Sequence, residues 1–138
     1  LLRIANLKNN THLLSTTQEI EFAQNIAQHT ATDAIFLTST NHNHPIPLWA
    51  QRPIFLGYLG WIRNFGFEDS LRAQQLPLVY QGDATADTIL AENKISYIYV
   101  GPKEQSSMTI NSTYLSKFPI AFQDSTTIVY DSRQLWKQ

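Results

Sequence analysis

With 138 residues and 15.8 kDa the chain is one domain's worth of material, and by surface scaling it buries roughly 68% of what its unfolded form exposes, enough to fold without staples. It contains no cysteine, which excludes a disulfide framework, cysteine-ligated metal centres and a thiol nucleophile. Ten Lys and Arg against 11 Asp and Glu leave a net charge of -1 with no basic cluster, which argues against nucleic acid as a partner.

Along the chain, residues 1–7 alternate imperfectly as an edge strand would, and residues 8–15 are polar loop. Thr16, Thr17, Gln18 and Glu19 then form a capping box, in which Thr16 accepts from the third amide and Glu19 reaches back. Ile20, Phe22, Ala23, Ile26 and Ala27 follow at helical spacing, which predicts a helix over residues 17–29. Four short apolar runs come next: Ala34-Ile35-Phe36-Leu37, Ile54-Phe55-Leu56, Tyr97-Ile98-Tyr99-Val100 and Ile128-Val129-Tyr130. They are rich in β-formers and barely alternate, which suits strands covered on both faces.

Between the second and third runs, Asp69 is placed to cap a helix reaching Gln75, which Pro77 should break or restart before Val79 and Tyr80. Asp83 is expected to cap a second helix over residues 84–92, with Ala86, Ile89 and Leu90 inward and Asn93 as a left-handed terminator. Gly101-Pro102 should stop the third strand and open a polar loop through Ser107, followed by a short helix over residues 112–117. Residues 120–123 and 127–131, joined by Asp124-Ser125, read as a terminal hairpin. The fold class expected is α/β: a three-layer domain with a mixed, mainly parallel sheet of about 4–6 strands and a C-terminal hairpin, in a single domain over residues 1–138.

The densest polar stretch is Thr38-Ser39-Thr40-Asn41-His42-Asn43-His44-Pro45, directly after a buried strand, where open α/β sheets bind ligands. His42 and His44 have metal-ligating chemistry, but no third ligand is nominated, so neither metal nor cofactor is expected. Side chains of Asn and His capping a turn account for the same stretch without a ligand. After the second strand, Gly57-Tyr58-Leu59-Gly60-Trp61 adds two glycines and two aromatic faces, the equipment of a sugar-binding surface or simply of a tight turn with two core aromatics. It lacks the third glycine of a dinucleotide fingerprint, and no serine sits in a nucleophile elbow. If the first two strands are parallel neighbours, His42, Asn43, His44, Tyr58 and Trp61 share one edge of the sheet. Arg52 completes the candidate ligand surface as a phosphate partner, although its place just before the second strand assigns it to the other edge.

Taken in order, His42-Asn43-His44-Pro45, then Arg52 to Tyr58 with Gly60-Trp61, then Tyr80-Gln81-Gly82-Asp83, then Ile95-Ser96-Tyr97-Ile98-Tyr99-Val100-Gly101-Pro102-Lys103-Glu104, followed by Leu115-Ser116-Lys117-Phe118, resemble the soluble tail of large polytopic membrane proteins. The resemblance is to glycosyltransferases of the lipid-phosphosugar-dependent class, including the YYY-type group, and covers roughly residues 33–131. The His-Asn-His-Pro loop stands where that group tends to carry a Gly-Trp-His-Glu type segment. The resemblance implies that catalytic carboxylates lie on an early loop of a transmembrane bundle and that this chain, excised from the larger protein, is an accessory domain on the extracytoplasmic face. It would assist acceptor or polyprenyl-phosphate sugar binding, with the transmembrane part of the same polypeptide as its partner, without being catalytic alone. The competing expectation is a stand-alone soluble small-ligand binder or enzyme that uses the same strand-end loops.

Overall fold

The structure is a computed structural model that describes residues 17–40, 44–55 and 67–137. The expected helix is present as α1, Thr17–Gln28, which buries Phe22, Ala23 and Ile26. Thr16 of the capping box and the expected strand over residues 1–7 lie outside the described residues. β1, Ile35–Leu37, leads by way of Thr38 to a π-helical turn at Ile46–Ala50, closed by Gln51 in the left-handed region at φ 57°. Then come α2, Phe67–Gln81; α3, Ala86–Glu92; β2, Ile95–Val100; α4, Pro102–Ser107; and α5, Ser112–Leu115. The hairpin of β3, Ile120–Gln123, and β4, Ile128–Asp131, is followed by a 3-10 turn at Arg133–Leu135.

These strands form one mixed sheet in the order β1-β2-β4-β3. β1 and β2 are parallel, while β2–β4 and β3–β4 are antiparallel. The mixed sheet and its hairpin match expectation, but antiparallel pairs outnumber the parallel one among the named strands. The hairpin lays β4, not another crossover strand, beside β2. The second apolar run contributes a parallel bridge from Ile54 to the outer side of β1, held by Phe36 N–H to Pro53 O at 3.0 Å and Phe55 N–H to Phe36 O at 2.9 Å. Leu56 lies outside the described residues.

Every residue of β2 is buried, the physical reason its sequence does not alternate. Ile98 and Val100 pack with Leu37, Val79, Ile89 and Leu90. Tyr97 and Tyr99 turn to the other face, against Phe36, Val129 and the Phe22 and Ile26 side chains of α1. The Tyr97 and Phe36 rings stack there with centroids 5.0 Å apart.

Four local expectations are corrected. Pro77 does not break α2, which runs through it, because Leu76, Val79 and Tyr80 carry the helix into the core on both sides of the missing N–H. α3 starts at Ala86, because the Asp83 carboxylate instead closes a turn, accepting from the Thr85 N–H at 3.0 Å and hydroxyl at 2.6 Å. The left-handed residue after α3 is Lys94, at φ 51°, while Asn93 stays at φ -95° and donates its side-chain amide to Ile89 O. The polar segment after Gly101 is the helix α4, not a loop: Pro102 occupies its first turn and Glu104 reaches back to the Gly101 N–H.

Candidate functional site

Parallel pairing sends the C-terminal ends of β1 and β2 to one edge, where Thr38-Ser39-Thr40 leaves one strand and Gly101-Pro102 the other. Both segments are joined by the Glu104 carboxylate. Its Oε1 accepts from the Gly101 N–H at 2.8 Å and so starts α4. Its Oε2 accepts from the Ser39 N–H at 2.9 Å and bonds His44 Nε2 at 2.6 Å. The Ile46 N–H points at His44 Nδ1 from 3.2 Å, which leaves the ring proton on Nε2, facing the carboxylate. His44 and Glu104 are both 0% exposed. Burial pushes the Glu104 carboxyl upward, but the bonds from His44, Ser39 and Gly101 outweigh it and hold it below its ordinary value. A carboxylate with three donors is the arrangement in which a buried charge is tolerated.

Gly101 is required at this junction. A Cβ there would stand 2.9 Å from the Tyr99 ring and 3.1 Å from the Thr127 hydroxyl. The Tyr99 ring meets the His44 ring edge-on at 4.6 Å and closes the pair from the side. From α2, the Tyr80 hydroxyl faces the carbonyls of Leu37 and Tyr99 at 3.0 and 2.7 Å, the ends of the two parallel strands. Burial, and then the charge of Glu104, push the Tyr80 phenol well above its ordinary range, so it remains a donor. Beside this frame lies an open cleft of about 260 Å³ between Ser39, Thr40, Ala73, Leu76, Pro77 and Met108. The proline that the helix accommodates is part of its wall.

Of the six residues expected to form one ligand surface, His42, Asn43, Tyr58 and Trp61 lie outside the described residues. His44 is at the expected edge but turned inward, onto Glu104, where it anchors the loop. Arg52 is at the other edge, as its position before the Ile54 bridge requires. Its guanidinium donates to the Ala27 and Thr30 carbonyls at 2.6 and 3.1 Å and to the Thr30 hydroxyl and Ala50 carbonyl at 3.1 Å each. It thereby caps the C-terminal end of α1 and is not brought together with His44. Glu104 and Tyr80 are the residues that sequence reasoning did not place in the site. The available signal was Gly, Pro and then Glu at the third helical position, a helix start that reads as a loop when the proline is taken only as a breaker.

No family model matches the chain, and no curated protein matches it. Among the described residues no group of three or more His, Cys, Asp or Glu is placed to hold a metal ion, and no helix is long and apolar enough to cross a membrane.

Proposed function

We propose that this chain is an accessory extracytoplasmic domain of a membrane glycosyltransferase-like protein, binding an acceptor glycan or a polyprenyl-phosphate sugar without being catalytic alone. The supporting observation is the meeting of His44, Tyr80 and Glu104, which come from three separate stretches of the family-like sequence, at the strand-end edge where α/β domains take ligands. In this reading His44 and Glu104 are positioning residues. They tie the chain leaving β1 to the start of α4, and the proposed ligand contacts are His42, Asn43, Tyr58 and Trp61. The fold belongs to the same reading: the two apolar clusters are the two faces of a three-layer domain, its parallel side extended beyond β1 by the Ile54 bridge. The domain sits on the outer face of the membrane, anchored by transmembrane segments of the same polypeptide, which are its partner.

Two measurements test this. Titrating the chain with short glycans and with polyprenyl-phosphate sugars should shift the amides of Ser39, Thr40, His42 and Asn43 and the Trp61 indole. No shift at millimolar ligand with the fold intact removes the binding role. Reading the gene upstream of Leu1 should reveal a series of membrane spans; their absence would pass the same edge to the stand-alone small-ligand binder.

A further inference from the structure

We infer that the opposite edge of the sheet carries a second site, for a phosphate monoester of sugar size. There the N-terminal ends of β1 and β2 meet the 3-10 turn after β4 around a cavity of about 460 Å³, within the range of small-ligand sites. Lys94, Arg133 and Lys137 line it, opposed by one acidic wall residue, Asp33. Asp131 matches Arg133 through paired bonds of 3.0 and 2.7 Å, so Lys94 and Lys137 supply positive charge in excess of Asp33, in a chain whose net charge is -1. That pairing holds the guanidinium over the Tyr97 ring at 5.2 Å. The guanidinium Nη1 takes no partner among the described residues.

One wall is held by a hydrogen bond. The Trp136 indole N–H donates to Ile95 O at 2.9 Å, which fixes the ring as one side of the cavity, and Ala34 and Ile35 add apolar surface. Lys94 is the most telling feature. It holds φ at 51°, a conformation glycine adopts freely and a residue with a Cβ adopts at a cost. At the end of α3, where glycine would take this conformation more cheaply, the chain instead places a lysine whose charge lines the cavity. Two lysines, with the Nη1 of a guanidinium whose fork is held by Asp131, beside a flat indole suit a dianionic phosphate attached to a compact carbon frame. Being at the other edge, this site does not depend on the binding reading above.

The test follows the Trp136 indole N–H and the Lys94 and Ser96 amides of the isotope-labelled chain during titration with a hexose phosphate, inorganic phosphate and the free hexose. Both phosphates should move these signals and the free hexose should not. Lys94→Gly and Lys137→Ala should each weaken hexose phosphate binding about ten-fold. Lys94→Gly should at the same time be at least as resistant to urea as the wild type, so its loss of binding is not a loss of fold. Silence toward both phosphates at millimolar concentration, an equal response to the free hexose, or unchanged affinity in Lys94→Gly would each overturn the proposal. Vesicles distinguish the phosphate's source: sedimentation with phosphatidic acid but not phosphatidylcholine, abolished by Lys94→Gly, assigns it to a lipid. Hexose phosphate binding without sedimentation assigns it to a soluble ligand.

Discussion

At the scale of single residues, the Glu104 carboxylate organises more of the molecule than any exposed side chain near it. Three donors converge on it, and two of them belong to the chain leaving β1. Glu104→Ala would leave the His44 N–H and the Ser39 and Gly101 amides buried without their acceptor. We expect a loss of about 3–5 kcal/mol in urea denaturation at neutral pH, because removing one partner of a buried charged network leaves the others uncompensated. A loss below about 1 kcal/mol would show that the network is dispensable. Arg52 makes the complementary point. Its sequence neighbours describe a phosphate-binding arginine, whereas its four bonds to α1 and the π-helical turn describe a cap. The chemistry of the side chain is the same in both roles, and only its surroundings distinguish them.

At the scale of elements, α2 shows tertiary packing overriding a local rule. Pro77 removes the bond to the Ala73 carbonyl and crowds the preceding turn, a cost of about 3 kcal/mol in an isolated helix interior. The helix nevertheless continues to Gln81, since ending it earlier would forfeit the burial of Val79 and Tyr80 and the hydroxyl contact that joins β1 to β2. Pro77→Ala is therefore expected to stabilise the protein by about 1–3 kcal/mol, read as a rise in the urea midpoint. A fall in the midpoint would mean that the pyrrolidine ring's packing in the cleft wall outweighs the restored backbone bond. α4 illustrates the converse, a helix whose local start signal is complete and is recognised once Glu104 is seen reaching back to Gly101.

At the scale of the whole molecule, acids displaced in opposite directions bound the pH range of stability. Glu104, Asp83, Asp87 and Asp131 are all held below ordinary carboxyl values: Glu104 and Asp131 against the upward push of burial, Asp87 by bonds from Lys117 and Tyr114, and Asp83 by Thr85. Groups lowered on folding contribute stability above their unfolded pKa of about 4, and that contribution is lost as pH falls through the folded values. Tyr80, Tyr97, Tyr99, Tyr114 and Tyr130 are raised, chiefly by burial. Their contribution is complete below the unfolded phenol value of about 10 and is lost as pH climbs beyond it. The urea midpoint should fall below about pH 4 and again above about pH 10. A midpoint at pH 3 equal to that at pH 7 would contradict the acid side, and with it the native ionisation of Glu104.

Local order was legible in the residues themselves. The 3.6-residue period of Phe22, Ala23 and Ile26 determined α1, the unbroken apolar run determined β2 as a strand buried on both faces, and Asp124-Ser125 between two β-rich runs determined the hairpin. The absence of thiol chemistry was equally a property of composition alone. What only the tertiary structure decided are the meetings at long range: Glu104 with Ser39 and His44, 65 and 60 residues away, Tyr80 with the ends of both parallel strands, and Arg52 with the end of α1. A period or a cap is written in neighbours a few residues apart, so the chain displays it before folding. A buried carboxylate acquires its partners only when the sheet's register brings distant segments to one edge, and nothing in the order of residues records that distance.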